Sequence, residues 1–250
     1  SNNARQVFSR VPGVNVWESD AAGLQLGVGA RGLSPDRTAN FNTRQNGYDM
    51  AADALGYPES YYAPPMQAID RIEIVRGAAS LQYGTQFGGM INLKLKEGNR
   101  DKRISGKTVN TYNSVGYFNT YNEIGGQSGK LNYYSFYNYR TGSGYRPNTG
   151  FDAGTGFVRL QYDFSEKFKL SAEYTNMGYE AQQAGGLTDV QFAQDPYQSL
   201  RERNWFKVNW NLFAVNLDYK FSGKTVINSR FFGIASTRQA LGYLRPPNRQ

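Results

Sequence analysis

The chain has 250 residues, a formal net charge of +8, an aromatic fraction of 15%, and neither histidine nor cysteine. Zinc sites built on thiolate or imidazole, cysteine nucleophiles and Ser-His-Asp triads are therefore excluded within it. Mean hydropathy is −0.63 and no run approaches the ~18 apolar residues of a spanning helix, so any membrane insertion must use strands, which alternate apolar with polar over ~9 to 11 residues.

Taken in order, Ala4 to Arg10 has helical composition, and Val11-Pro12-Gly13 stops it: proline disfavours helix in the residue before it and glycine permits a reversal. Val14 and Val16 begin an extended segment. Leu24, Leu26, Val28 and Ala30 alternate with Gln25, Gly27, Gly29 and Arg31, which predicts a strand with one buried face running into Arg31-Gly32-Leu33. Ser34 to Tyr62 then loosens into loop composition, with Pro35, Asn40, Asn46 and Gly47 followed by Gly56-Tyr57-Pro58-Glu59-Ser60-Tyr61-Tyr62.

Ala68 to Lys96 reads AIDRIEIVRGAASLQYGTQFGGMINLKLK. Ile72 and Ile74, then Ile91, Leu93 and Leu95, repeat every second residue and predict two strands; Gly77, Gly84, Gly88 and Gly89 predict a strongly turned connection between them. Asp70 and Glu73 fall three apart on the first strand and are expected on opposite faces, which argues against a catalytic carboxylate pair. The charge-rich KEGNRDKR at 96–103 reads as a linker, so the expected domains are 1–100 and 101–250.

Beyond it, seven strands are predicted near 103–113, 116–125, 130–141, 156–164, 168–179, 204–221 and 225–240. Val158, Leu160, Tyr162 and Phe164 alternate with Arg159, Gln161 and Asp163, turn at Ser165-Glu166-Lys167, and give way to Phe168, Leu170, Ala172 and Tyr174 against Lys169, Ser171 and Glu173. A second hairpin turns at Ser222-Gly223-Lys224. In the sixth strand the apolar phase changes between Leu212 and Phe213, which predicts a bulge. Aromatic pairs flank the tight turns, Phe164 with Phe168 and Tyr219 with Phe221, and the opposite connections, near 141–156 and 179–204, are long. Aromatic girdles and one-sided loop lengths are outer-membrane barrel traits. Interleaved Trp205-Phe206-Lys207 and Tyr243-Leu244-Arg245 read as wall and lumen positions, not as a nucleic-acid surface.

Val75-Arg76-Gly77, Leu81-x-Tyr83-Gly84 and Gly88-Gly89-x-Ile91-Asn92, preceded by the Pro12-Gly13 turn and Arg31-Gly32, together resemble the plug domain of TonB-dependent outer-membrane receptors. The fold class this implies is mainly β: an N-terminal α/β plug inside an antiparallel transmembrane β-barrel, of which about seven strands lie in this chain. Barrels holding a plug have ~22 strands, so the wall is expected to continue past Gln250. The TonB box is expected upstream of Ser1.

The resemblance gives Arg31, Gly32, Glu73, Arg76, Gly77, Gly84, Gly88 and Gly89 structural roles, the arginines locking the plug core. It puts Arg37, Thr38, Arg44, Glu59, Ser60, Tyr61, Tyr62, Gln82 and Tyr83 in ligand-facing loops, with packing under the barrel wall as the other role open to the tyrosines. The implied function is active import of a ferric chelate, a siderophore or ferric citrate. Iron enters only as cargo, with no cofactor and no enzymatic activity. With no GxxxxGK[ST] loop in the sequence, energy must come from a partner, the TonB-ExbB-ExbD complex; outer-membrane lipid and a surface lipoprotein complete the expected partners. Gln82 stands where the ferric-citrate receptor carries a basic residue, which leaves the ligand open. A glycan importer with a lipoprotein lid and a passive adhesin barrel are the alternatives.

Overall fold

The computed structural model describes residues 13–18, 26–30, 32–35, 38, 40–51, 61–75, 83, 88–114 and 116–242. The expected helix at Ala4 to Arg10 lies outside them. The elements in chain order are β1 (Val14–Glu18), β2 (Leu26–Ala30), β3 (Phe41–Gln45), β4 (Tyr48–Asp49), β5 (Ile69–Val75), β6 (Gly89–Leu95), β7 (Ser105–Tyr112), β8 (Phe118–Ser128), β9 (Leu131–Gly142), β10 (Phe151–Asp163), β11 (Phe168–Gln182), the short helix α1 (Asp189–Gln194), β12 (Trp205–Lys220) and β13 (Val226–Leu241). The chain is mainly β, and the strands form three sheets: β1 with β2, a four-stranded sheet ordered β4-β3-β6-β5, and a seven-stranded sheet in which β7 to β13 follow one another.

The N-terminal sheets are built by close backbone approach. A Cβ on Gly29 would stand 2.7 Å from the Leu33 carbonyl oxygen and 2.8 Å from the Pro35 nitrogen, so the face of β2 opposite Val28 and Ala30 is covered by the 33–35 turn. Gly27, Gly29 and Gly32 happen to match the GxGxxG spacing of dinucleotide-binding turns. Here Gly27 and Gly29 belong to an antiparallel strand paired with β1, whereas that motif places its glycines in the turn that opens a helix.

In β5, the register slips between Ile69 and Arg71 and leaves Asp70 unopposed. This bulge overrides the alternation that would send Asp70 and Glu73 to opposite faces: both carboxylates meet Arg71, at 3.3 and 2.9 Å. They are occupied by that guanidinium, as a structural pair would be.

All seven wall strands are present and every neighbouring pair is antiparallel. Short turns at 129–130, 164–167 and 221–225 lie at one end of the wall. The longer connections 143–150 and 183–204 lie at the other, where the Arg146 guanidinium stitches them together by donating to the Gln198 carbonyl at 2.8 and 2.9 Å and the Gly185 carbonyl at 3.0 Å. Thr188 and Gln191 cap α1 reciprocally.

The outer face explains the composition. Val158, Leu160 and Tyr162 of β10, Tyr174 of β11, Phe213, Val215 and Tyr219 of β12, and Phe231 of β13 are large apolar side chains left exposed. Register aligns Leu160, Ala172, Val215 and Phe231 into one row across four strands. At the short-turn end the rings of Tyr162, Phe164, Phe168, Tyr219 and Phe221 touch in succession, with centroids 4.7 to 6.3 Å apart. An exposed apolar belt closed by a row of aromatic rings is the pattern that a lipid-facing barrel wall carries. Above the belt the outward residues turn polar: Tyr174, Asn176, Asn209 and Asn211 join in one hydrogen-bonded cluster, with Tyr174 donating to Asn211 at 2.7 Å.

The bulge expected between Leu212 and Phe213 is absent, for β12 pairs without interruption with both β11 and β13. The apolar phase changes because the surroundings change. Phe206, Val208, Trp210 and Leu212 point inward onto the N-terminal sheets and are buried; from Phe213 onward the outward face enters the apolar belt, while the inward one becomes polar with Asn216 and Asp218.

The concave inner face holds the N-terminal sheets. Val28, Phe41, Tyr48, Met50, Tyr62, Ile91 and Leu93 belong to one buried cluster with Met177, Tyr179, Val208, Trp210 and Leu212 of the wall. A second cluster joins Ala68 and Leu95 to Tyr121, Tyr134, Phe136 and Phe157. The two parts are thus held by a shared apolar core.

Candidate functional site between the N-terminal sheets and the wall

The β3–β4 hairpin meets the wall through hydrogen bonds to β11. Asn46 and Gly47 form its tip, both in the left-handed region at φ 50 and 88, and the tip is tied down on three sides. Asn92 accepts from the Gly47 amide at 2.7 Å, Asn46 accepts from the Leu95 amide at 2.9 Å, and the Asn46 side-chain amide donates to Glu173 on β11 at 2.8 Å.

Glu173 is the hub. Its side chain is 3% exposed, and it also accepts from the Tyr48 hydroxyl at 3.0 Å and from Arg159 Nε at 3.3 Å. Arg159 continues to Gln161 at 2.6 Å and to Glu97, on the connection that leaves β6, at 3.1 Å. Beside it, fully buried Gln45 donates to Tyr48 at 2.6 Å and to Thr175 of the wall at 3.0 Å, and accepts from the Tyr62 hydroxyl at 2.8 Å. A buried carboxylate is tolerated only when charge-paired and hydrogen-bonded; here the neighbouring wall strand supplies the positive partner, Arg159, and the N-terminal sheets supply the Asn46 and Tyr48 donors across the interface. At the short-turn rim, Lys96 pairs with Glu123 at 3.0 Å and Arg100 with Asp163 at 3.1 Å.

Burial raises the Tyr62 and Tyr48 phenol pKa values well above the ordinary tyrosine value, and the Glu173 charge adds to both. An unfolded tyrosine ionises near ~10. The folded state therefore holds these protons more tightly, and its contribution to stability is complete below that pH and lost as pH rises beyond it. Alkaline titration is expected to release the N-terminal sheets above about pH 10, with tyrosinate absorbance appearing together with loss of tertiary signal. Tyrosinate formation by Tyr48 and Tyr62 while the sheets stay docked would contradict this.

Of the expected ligand-facing residues, the structure brings Arg44 and Tyr83 together. Arg44 donates to the Tyr83 carbonyl at 2.7 Å and lies over its ring at 5.0 Å, while its other nitrogens hold Asn42 at 2.8 Å and the Gly47 carbonyl at 2.9 Å. Thr38 is buried, with its hydroxyl accepting from the Val28 amide at 3.3 Å. Tyr61 packs on Phe206 and Trp210 of β12 with centroids 5.6 and 6.0 Å away, under the guanidinium of Arg238 on β13, which also donates to its hydroxyl. Tyr62 is buried in the Gln45 network. Arg37, Glu59, Ser60 and Gln82 lie outside the described residues.

Among the expected structural residues, Arg31, Arg76, Gly77 and Gly84 also lie outside the described residues. Gly32 takes φ 75 and Gly89 φ 136, and a Cβ on Gly89 would sit 2.8 Å from the Val75 carbonyl oxygen. Gly88 donates to the Asn40 carbonyl at 2.7 Å, where the backbone leaves no room for a side chain. Glu73 accepts from Asn92 at 2.7 Å and Arg71 at 2.9 Å. Burial alone would raise its pKa, but those hydrogen bonds prevail and hold it below the usual carboxylate value. Glu173 and Arg159 went unselected in the sequence, although counting back from the Ser165 turn places them opposite each other on the inward faces of β10 and β11.

The family model described as the TonB-dependent receptor plug domain matches residues 1–90. A ferric enterobactin receptor of Pseudomonas aeruginosa is 27% identical over 110 residues, which are 39% of this chain and 14% of that protein. The ferrienterobactin receptor of Escherichia coli K12 is 26% identical over 111 residues, 39% of this chain and 14% of the relative. Among solved structures, the unliganded ferric citrate transporter FecA superposes with a TM-score of 0.85 at 21% identity, over 98% of this chain and 39% of FecA. The ferripyoverdine receptor of the Pseudomonas aeruginosa outer membrane gives 0.72 at 18% identity, over 92% of this chain and 31% of that one. The chain thus spans well under half of the proteins it matches. Residues 1–90 thus match the plug domain of TonB-dependent receptors, and the chain shares with solved outer-membrane receptors the fold of that region seated against an antiparallel strand wall.

Proposed function

We propose that residues 1–100 form the plug and residues 101–250 the first part of the barrel of a receptor that imports a ferric chelate, a siderophore or ferric citrate, with energy from TonB and its ExbB-ExbD partners. One observation carries the reading: a small globular region is lodged by buried polar contacts against the wet inner face of a sheet whose outer face is apolar. Such a stopper must be moved before anything passes, which demands an energy source that the chain does not itself contain. The names of the relatives supply the cargo class, since ferric enterobactin, ferric citrate and ferripyoverdine are all ferric chelates. The proposed contacts are the Arg44–Tyr83 pair together with Arg37, Glu59, Ser60 and Gln82, whereas Thr38, Tyr61 and Tyr62 pack inside.

The test is uptake of radiolabelled ferric citrate and ferric siderophores by iron-starved cells that produce the full-length receptor containing this chain. Deletion is expected to abolish uptake of at least one chelate, and so is collapse of the proton gradient. Uptake unaffected by deletion would overturn the reading, and uptake that survives gradient collapse would make the barrel passive.

A further inference from the structure

The net charge of +8 is not spread evenly over the wall. The segments at its short-turn end, 96–104, 129–130, 164–167 and 221–225, carry seven basic residues against three acidic ones, whereas the connections at the other end, 113–117, 143–150 and 183–204, carry three of each. Near those long connections the outward charges are also engaged, Lys207 with Glu180 at 3.1 Å and Asp152 with the Tyr139 hydroxyl at 2.7 Å. At the short-turn end Lys96 and Arg100 pair with Glu123 and Asp163. Lys102, Arg103, Lys130, Lys167 and Lys224 are exposed and form no ion pair among the described residues.

Three of these cations stand one to a turn. Lys130, Lys167 and Lys224 occupy the successive hairpin turns after β8, β10 and β12, and backbone bonds tie each turn to the next hairpin: the Asp163 amide donates to the Lys130 carbonyl at 2.9 Å and the Lys220 amide to the Lys167 carbonyl at 2.8 Å. The Lys130 ammonium donates once, to the Phe164 carbonyl at 2.8 Å, which leaves two of its three protons unused. Lys130 and Lys167 lie on hairpins whose strands are all paired on both sides, so no further strand can cover them. Among the described residues at this end, Asp101 and Glu166 are the acids outside any ion pair, too few to balance the row. The same turns carry the aromatic girdle: Phe164 and Phe168 flank Lys167, and Phe221 precedes Lys224 by three residues. A ring girdle marks the level where hydrocarbon gives way to head groups, and a lysine just beyond it can rest its stem on apolar surface while its ammonium reaches the polar layer.

We propose that the short-turn rim is a docking surface for anionic phospholipid, whose phosphate groups lie against Lys130, Lys167 and Lys224 while its acyl chains continue along the apolar belt. Two observations select this occupant: the cations are left without counter-charge, and they border the belt directly, so that a ligand bearing both a phosphate and hydrocarbon chains meets both surfaces at once. The charge-balanced long-loop end has no such preference, and the wall therefore holds anionic lipid at one of its two edges. The inference goes beyond the import reading and does not depend on it, because this surface lies outside the lumen; it rests on the wall standing in lipid.

The full-length receptor in phosphatidylcholine vesicles tests this, with a donor dye at Gly223→Cys on the β12–β13 turn or at Gly186→Cys on the 183–204 connection, two positions where a Cβ meets nothing within 4 Å. Acceptor-labelled phosphatidylglycerol is compared with acceptor-labelled phosphatidylcholine. At low salt, phosphatidylglycerol is expected to be enriched about fivefold or more beside the Gly223 dye, the effect of a basic residue near an anionic lipid surface, and not beside the Gly186 dye. Lys130→Gln/Lys167→Gln/Lys224→Gln should bring the two lipids to parity, and arginine at the three positions should keep the enrichment. Salt at about 1 M, where charges are screened beyond about 3 Å, should bring the wild type to parity without any variant. Equal signals from the two lipids in the wild type at low salt, enrichment undiminished in the glutamine variant or at high salt, or equal enrichment at both dyes would each overturn the assignment. Glycerol phosphate displacing the lipid at equal concentration would overturn it in favour of a free phosphate. Lysine-dependent binding of polyglutamate without phosphatidylglycerol enrichment would overturn it in favour of an acidic protein. Ferric chelate uptake, which turns on the plug, is expected at the wild-type rate in the glutamine variant, so failure of the import reading and failure of this one are read separately.

Discussion

Glu173→Ala is expected to loosen the plug more than any other single change in this chain. The substitution leaves Arg159, whose side chain is 10% exposed, with half-exposed Glu97 as its one charge partner among the described residues, and strips the acceptor from Asn46 and Tyr48. Breaking a buried pair from one side costs about 3–5 kcal/mol. Because two of the three donors come from the hairpin tip and from β4 and the third from the wall, the loss falls on docking as well as on the β10–β11 pair. In the full-length receptor this should appear as a separate, lower-temperature unfolding transition and as protease cleavage within 40–51, with barrel strands still protected. Glu173→Gln, which keeps an oxygen acceptor without the charge, should fall between the two. Plug protection in Glu173→Ala equal to that of the wild type would show that the shared apolar core alone holds the plug.

Val215→Arg should prevent stable membrane insertion, while Asn209→Arg, six residues earlier on the same face of β12, should be tolerated. Val215 lies in the middle row of the apolar belt with Leu160, Ala172 and Phe231, where an arginine facing lipid costs about 2–4 kcal/mol. Asn209 lies about 20 Å further along the strand at the usual rise per residue, within the polar outward cluster, where the cost falls to about 0–1 kcal/mol. The amount of folded receptor in outer membranes, and urea unfolding in lipid vesicles, measure the difference. Equal losses in both variants would mean that the lipid boundary does not fall between Asn211 and Phe213.

Much of the wall was legible because a strand's period is local. The Ser165 turn and the alternation on either side of it suffice to place Arg159 opposite Glu173 and Leu160 opposite Ala172, and the aromatic pairs at the tight turns became a continuous girdle. The same rule failed where its premise failed. At Asp70 an extra residue in β5 breaks the two-residue repeat. At Leu212 the repeat holds, and the neighbours of both faces change within two residues, which a pattern of apolar and polar letters cannot distinguish from a bulge. The fate of Tyr61 and Tyr62 was open for another reason: a tyrosine in a loop suits ligand contact or packing, and only Phe206, Trp210 and Gln45 decide between them.

By itself the sequence determined that this protein is a β-rich chain with a turned, glycine-dense first part and an alternating second part, because glycine spacing and side-chain periodicity act over a few residues and need no distant partner. The tertiary structure alone decided how the two are joined. Contacts such as Tyr48 with Glu173 or Gln45 with Thr175 connect positions more than 120 residues apart, and a buried carboxylate finds its donors only when both sheets have closed around it.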